Sequence, residues 1–311
     1  MEEKLRILVT GGAGFIGSIL VPMLVEEGYD VTVVDSFIYR QQGATGLATM
    51  CRYPNFHIFR GDVRDPDALK PHLASADVII PLAALVGAPL CNLNPVDAEL
   101  VNYHHPKRLF KLLSKDQLCV MPTTESAYGS NAEVCTEETP INPLSTYALH
   151  KAHVEEALLQ RENSISLRLA TVYGMSPRMR LDLLVNDFAW KAWKEGSILI
   201  FEHNFNRTVL HVRDAARAFL HALSEHFEHG IYNVGNDTVT KLGLCDELKK
   251  RLPNFYYTLM PIGKDADQRN YQVSSAKLKA TGFEYSVSLD QGIDELLKGF
   301  PMLTNSLHGN V

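Results

Sequence analysis

The sequence is poor in the features that mark several protein classes. Its five cysteines, Cys51, Cys91, Cys119, Cys135 and Cys245, are scattered with no paired spacing. That pattern argues against a disulfide framework, a redox dithiol or a thiolate metal site, and they read as reduced packing residues. Positive charge is not in excess: 30 basic against 36 acidic residues give a net charge of −6. Neither nucleic acid nor an anionic membrane is therefore an expected partner. The longest apolar run, Val78 to Cys91, carries two prolines and a glycine and falls short of the roughly 20 residues that cross a bilayer. The opening Met1-Glu2-Glu3-Lys4 is acidic and runs straight into a strand-like segment, unlike a signal peptide, so a cytoplasmic location is expected. His150 and His153 lie three apart on an expected helix but have no third ligand at a telling spacing, so no metal is expected.

What the chain does have is 311 residues, 46% of them hydrophobic, enough to bury a large core. Short β-rich runs at Leu5 to Thr10, Val31 to Asp35, His57 to Phe59, Val78 to Ile80 and Leu118 to Met121 alternate with amphipathic segments. Such alternation predicts parallel strands with crossover helices. A helix is expected over Ser145 to Arg161 and a further strand over Ile165 to Leu169. The fold class is therefore α/β, a Rossmann doubly wound parallel sheet with a smaller mixed α/β lobe. Residues 1–174 are expected to make the domain of the large sheet and 175–311 mainly the smaller lobe, with the chain crossing between them. Helices in that lobe are expected near Leu181 to Glu195, Asp214 to Glu225 and Leu289 to Gly299.

The strongest local signal is Thr10-Gly11-Gly12-Ala13-Gly14-Phe15-Ile16-Gly17, placed between a strand and a helix. Glycines there permit a tight turn, close approach of the backbone to a pyrophosphate and close packing of helix on strand. The helix N-terminus adds amide donors and a favourable dipole. A second strand then ends in Asp35, 18 residues beyond Gly17. A carboxylate there accepts from ribose hydroxyls and repels an added phosphate, which selects NAD over NADP. Arg40 lies close enough to leave room for some NADP tolerance.

With these residues the chain resembles the extended short-chain dehydrogenases, which include nucleotide-sugar epimerases and dehydratases, over about Leu5 to Gly299. Gly61-Asp62-Val63 looks like the family's adenine-contacting segment, Leu82-Ala83-Ala84 like the backbone strip under the cofactor, and Asn102 like the asparagine of the following helix. The resemblance implies NAD contacts at Gly11, Gly14, Phe15, Ile16, Gly17, Asp35, Asp62, Val63, Leu82, Ala83, Ala84, Asn102, Tyr147 and Lys151.

Tyr147 and Lys151 are four apart, on one face of a helix. Oxidising a carbinol needs a base for the hydroxyl proton, and a phenol of ordinary pKa about 10 serves only if positive charge lowers it. Lys151 and an oxidised nicotinamide supply that charge. Met121 to Gly129 resembles the family segment that ends in Tyr-Gly, which assigns the third catalytic residue to Thr124, with Ser126 as the alternative. Glu125 is a candidate for a substrate hydroxyl or for capping the strand end.

The resemblance also implies a diphosphate site at Thr171, where an asparagine is usual, Asn186, Arg207 and Arg269. Arginine suits the task because its planar fork bonds phosphate oxygens in pairs. Arg178 and Arg180 read as solvated or rim residues. Ile80 to Cys91 together with Ser176 to Asp182 look closest to a branch containing GDP-heptose 4-dehydrogenases. The expected activity is NAD-dependent oxidation at carbon 4 of a nucleotide-diphosphate sugar, by a 4-dehydrogenase or 4-epimerase, for surface-polysaccharide sugars. The family also implies a homodimer. Two other readings are a non-catalytic dinucleotide sensor or scaffold, and a reductase of a small carbonyl compound. An Asp-Glu pair follows the catalytic threonine in the dehydratases; Glu125-Ser126 stands there here, so 4,6-dehydration is not expected.

Overall fold

The computed structural model describes residues 4–39, 41–224, 227–261 and 269–303. Arg40 and Glu225, which the sequence reading had used, lie outside them. Unbroken apolar runs such as Ile7-Leu8-Val9 and Val78-Ile79-Ile80 form strands buried on both faces, as a sheet covered by helices on both sides requires. The first five strands are β1 (Arg6–Thr10), β2 (Asp30–Asp35), β3 (Phe56–Arg60), β4 (Val78–Pro81) and β5 (Leu118–Thr124). They are followed by β6 (Ser130–Cys135), β7 (Ser164–Leu169), β8 (Thr171–Tyr173), β9 (Ser197–Ile200) and β10 (Asn206–His211). The last are β11 (Gly230–Val234), β12 (Asp237–Thr240), β13 (Tyr256–Leu259) and β14 (Asn270–Val273).

Seven strands make one parallel sheet in the order β11-β7-β5-β4-β1-β2-β3. The chain winds outward from β1 to β3 and then returns to β4 on the other side of β1. The crevice for a ligand therefore opens at the carboxyl ends of β1 and β4. Alternate strand residues serve two cores. Val9, Val33 and Ile80 pack with Leu20, Val21, Val185 and Ala215, while Leu8, Val34 and Ile79 pack with Leu109, Phe110, Val154 and Leu158.

The chain returns to this sheet after residue 175, because β11 forms its edge beside β7. β6, from the first half, pairs with β14 near the end of the chain. The substrate lobe is thus held to the large sheet at two places. Its own strands form a three-stranded sheet, β12-β10-β8, and a pair, β13-β9. The helix Lys241–Arg251 was not read from the sequence; its apolar residues are too sparse to set a period. All five cysteines are free, and only Cys51 is exposed. Among the described residues no group of side chains is arranged to hold a metal, and no helix is long and apolar enough to cross a membrane.

Candidate active site

The turn after β1 is built around Gly11, whose φ of +72° favours glycine. A Cβ at Gly11 would sit 2.6 Å from the Ala83 nitrogen, and one at Gly17 would sit 2.6 Å from the Gly12 carbonyl oxygen. The glycines therefore let the turn lie on the Leu82-Ala83 backbone and let the helix Gly17–Glu26 start against the turn. Ile16, at the N-cap, offers no side-chain cap, which leaves this helix end suited to an anion. Phe15 is buried beside it.

Asp35 closes the crevice on the other side. Its carboxylate accepts from the amides of Ala13 (2.9 Å) and Phe37 (2.8 Å). Burial pushes this carboxyl above its ordinary value, and those amides pull it back. The remaining lone pairs are available to ribose hydroxyls. A cavity of about 330 Å³ runs between the turn, Asp35 to Tyr39, Asp62-Val63 and Leu82 to Leu85, and its shape and donors fit a dinucleotide.

Two residues expected to touch the cofactor also have partners within the chain. Asn102 is fully buried in a π-helical turn, Leu100–His104. Its amide accepts from Leu85 N (2.9 Å) and donates to Leu85 O (2.7 Å), so it fixes the strip under the cofactor from behind. The Asp62 carboxylate is gripped by Arg64 at 2.6 Å, and Arg64 also bonds Asp97 at 2.7 Å. The bond from Arg64 holds the Asp62 carboxyl below its ordinary value.

The helix Thr146–Leu158 begins at Ser145, whose hydroxyl accepts from Ala148 N at 3.2 Å. This cap aims Tyr147 and Lys151 at the end of β5. Lys151 is buried, and its ammonium donates to the Pro122 carbonyl at 3.1 Å. Burial pulls Lys151 down to about 8 and pushes Tyr147 up to about 12. The charges of Arg180 and Arg269 oppose the rise at Tyr147. Thr124 ends β5; its hydroxyl donates to Ser126 Oγ (2.9 Å) and accepts from Ser126 N (3.1 Å).

Glu125 departs from the capping role. Its side chain is fully buried, neither carboxylate oxygen has a hydrogen-bond partner among the described residues, and Oε1 lies against Gly235. It therefore does not cap the strand. Burial, with the nearby charge of Glu137, pushes its carboxyl well above the ordinary value.

The substrate lobe corrects further expectations. Asn186 is fully buried, accepting from Gly174 N (2.9 Å) and donating to Arg180 O (2.8 Å). These two bonds tie the 174–180 loop to the helix that carries Asn186. Arg178 and Arg180 are buried, not solvated, at 2% and 7% exposure. Arg178 stacks on the Tyr39 ring at 3.8 Å, while Arg180 pairs with Asp182 at 2.6 Å and reaches Val86 O. The aromatic partner lies about 140 residues away in the chain, which is why the loop's polarity misled the sequence reading. Arg207 is buried in β10 and bonds Asn206 O at 3.0 Å, and Thr171 is half-buried in β8 opposite Val209. Arg269, half-buried before β14, donates from Nη1 to Ser126 Oγ.

Comparison with known proteins agrees with this geometry. The model of the NAD dependent epimerase/dehydratase family matches residues 7–235. The chain belongs to that family. This epimerase/dehydratase family member is 28% identical to a putative UDP-glucose 4-epimerase of Methanocaldococcus jannaschii, over 94% of this chain and 97% of the relative. It is 26% identical to a dTDP-glucose 4,6-dehydratase of Streptomyces niveus, over 95% and 93% of the two chains. The Thermus thermophilus UDP-glucose 4-epimerase, solved with NAD, superimposes with a TM-score of 0.82 at 25% identity, over 96% of this chain and all of the other. The chain is an NAD-dependent enzyme.

One residue of this family member was missed from the sequence. Glu155, four beyond Lys151, is buried and accepts from Thr123 (2.8 Å), Ser166 (2.6 Å) and Arg168 (2.6 Å). Arg168 in turn donates to the Tyr128 hydroxyl at 2.7 Å. The signal was the stripe 147, 151, 155 on one helix face, which places a carboxylate directly behind the catalytic pair.

Proposed function

We propose that this enzyme oxidises carbon 4 of a nucleoside-diphosphate sugar, acting as a 4-epimerase or a 4-dehydrogenase. The observation that supports the reading is the convergence of Tyr147, Lys151 and the Thr124-Ser126 hydroxyls beside the dinucleotide crevice, with Arg269 brought in beside Ser126. NAD, when bound, accepts the hydride from the carbinol carbon. Tyr147 takes the hydroxyl proton; its own pKa of about 12 in the cofactor-free chain means that added positive charge must lower it. Lys151, cationic at neutral pH, is fixed on Pro122 where it contributes that charge.

Two arginines would be superfluous for a small carbonyl substrate, and a sensor would need no proton-transfer group. Dehydration is disfavoured because Ser126, the second residue after Thr124, is far too weakly basic to take a carbon-bound proton. The motifs at 80–91 and 176–182 favour GDP-heptose as the sugar nucleotide and surface-polysaccharide synthesis as its use. A homodimer is proposed through the exposed apolar residues Leu93, Val96, Leu100 and Leu149.

The test is to screen UDP-, GDP-, dTDP- and CDP-sugars while following NADH absorbance, and then to weigh the product. Unchanged mass without net NADH marks an epimerase; loss of two hydrogens with NADH marks a dehydrogenase. Loss of about 18 mass units, one water, overturns the reading. Tyr147→Phe is expected to keep NAD binding and to lose at least about a hundredfold in turnover; near-normal turnover would refute Tyr147 as the base.

A further inference from the structure

The 174–180 loop leaves the smaller lobe and fastens to the walls of the cofactor crevice. Ser176 Oγ donates to the Phe15 carbonyl at 2.8 Å and accepts from Ser18 Oγ at 3.0 Å, which fixes it at the glycine turn and the helix Gly17–Glu26. Pro177 packs so closely on Gly46 that a Cβ there would sit 2.6 Å from the proline Cβ. The Arg178 guanidinium then covers the Tyr39 ring at 3.8 Å and donates to Met179 O at 2.8 Å. Arg180 reaches Val86 O at 3.4 Å, just past the strip Leu82 to Leu85 that lines the cavity. One short segment thus grips the turn, the loop after Asp35 and the far end of the strip. Asn186, bonded to both Gly174 N and Arg180 O, joins the two ends of the segment into one unit.

The partner of Arg178 is also held in place. Asp35 accepts from Phe37 N at 2.8 Å, and Phe37 has a φ of +55°, a conformation that a phenylalanine keeps only where its surroundings impose it. Beyond this bend Ile38 and Tyr39 line the cavity beside Asp35. Tyr39 is half-buried and Arg178 is buried, so ring and guanidinium meet away from water. A cation on an aromatic face is held most strongly there. Burial raises the Tyr39 hydroxyl above its ordinary value, and the charges of Arg178 and Arg180 pull it back.

We propose that the 174–180 loop is a strap across the cofactor crevice and that Arg178 stacked on Tyr39 is its latch. A dinucleotide seated on the glycine turn and Asp35 lies between walls that this contact joins, so it leaves only when the stack opens. Arg178 and Tyr39 are positioning residues, and neither touches the reacting atoms. On the sugar-oxidation reading above, the latch also selects between the two activities. Oxidation passes a hydride from carbon 4 to NAD and the hydroxyl proton to Tyr147. Where cofactor release is slower than turnover, both return, the hydride to the opposite face of the same carbon, and no oxidant is consumed. A net dehydrogenase has to discharge NADH and take up NAD in every cycle, which a closed strap opposes.

The experiment uses the full-length protein loaded with labelled NAD and diluted into excess unlabelled NAD, with bound label counted over time and no sugar present. Arg178→Met and Tyr39→Ala are each expected to speed release about thirtyfold, the equivalent of one desolvated cation–π contact. Tyr39→Phe, which keeps the ring under the guanidinium, should stay within about threefold of wild type. The double variant Tyr39→Ala/Arg178→Met should be no faster than either single, because both remove the same contact. Wild-type release in both single variants, or effects that multiply in the double, would overturn the latch. If Arg178→Met does not fold, the two Tyr39 variants decide alone: fast release in Tyr39→Ala beside slow release in Tyr39→Phe supports the stack, and equal rates refute it. With an accepted sugar nucleotide and added NAD, NADH that stops at or below about one equivalent per chain supports recycling, and steady accumulation beyond that overturns it. A wild-type enzyme that oxidises no sugar nucleotide would instead count against the functional reading, with label release still deciding the latch.

Discussion

Two buried carboxylates lie at the catalytic end of the same sheet and meet opposite fates. Glu155, behind the catalytic helix, is 4% exposed and saturated by Thr123, Ser166 and a bidentate Arg168. Glu125, at the end of β5, is 0% exposed and has no hydrogen-bond partner among the described residues. A buried ion pair survives when its geometry and remaining hydrogen bonds offset desolvation. A buried carboxyl without such partners takes up a proton instead. Hence the carboxylate that ties β5, β7 and the Tyr147 helix together is held by an ion pair and hydrogen bonds, while the carboxyl at the end of β5 is pushed above its ordinary value by burial and held by packing.

The sharpest way to break the first arrangement is to remove one partner. Arg168→Met leaves the Glu155 charge buried without its counter-ion, and Glu155→Gln does the converse to Arg168. Each is expected to cost about 3–5 kcal/mol in urea unfolding, the usual penalty for halving a buried pair. The double variant Glu155→Gln/Arg168→Met should recover part of that loss, since no buried charge is then left alone. Single variants within about 1 kcal/mol of wild type would show that water reaches the pair.

Lys151 is the cationic counterpart of Glu125: buried, with its ammonium on the Pro122 carbonyl. Its pKa falls from 10.5 to about 8 on folding. Between those values the unfolded chain holds the proton and the folded chain does not, so stability rises with pH across pH 8 to 10.5. Below pH 8 the cost of the buried cation is present in full, on the order of 3 kcal/mol. Cofactor-free Lys151→Met should therefore be catalytically dead yet melt a few degrees higher than wild type at pH 7, with the gain shrinking toward pH 10.5. An equal or lower melting temperature at pH 7 would show that the ammonium is better solvated than its burial indicates.

The contrast between the two carboxylates also explains what could be read from the sequence. The glycine turn, the Asp35 strand end and the Tyr147-Lys151 spacing are local, because their chemistry is set by backbone conformation and helical periodicity within a few residues. The sheet follows from hydrophobic runs in the same way. The fates of Glu125, Arg178 and Asn102 depend on partners far along the chain: Gly235, Tyr39 and Leu85. No local pattern announces such partners, and a polar residue in a polar stretch reads as exposed. Glu155 is the intermediate case, since its place on the stripe was visible and its partners in β5 and β7 were not.

Glu125→Gln gives the cleanest reading of the second arrangement, with an effect that vanishes near pH 4.5. The folded-state pKa of Glu125 is raised above 4.5. As pH climbs from 4.5 toward that raised value, the unfolded chain has lost its proton while the folded chain keeps it. Unfolding then releases a proton, and stability falls with rising pH across this window. Glutamine has nearly the same shape and no proton to lose. The variant should match wild type in urea unfolding near pH 4.5 and gain on it by at most about 1.4 kcal/mol for each pH unit above, until the raised pKa is passed. The comparison needs urea titrations of both proteins at several pH values, read as the difference in unfolding free energy, because other carboxylates contribute equally to both. A flat difference across pH 4.5 to 8 would mean that Glu125 ionises in the folded chain. It would then be a second buried, charged carboxylate like Glu155, with Arg168 and Arg269 as its nearest counter-charges, and the contrast between the two would fail.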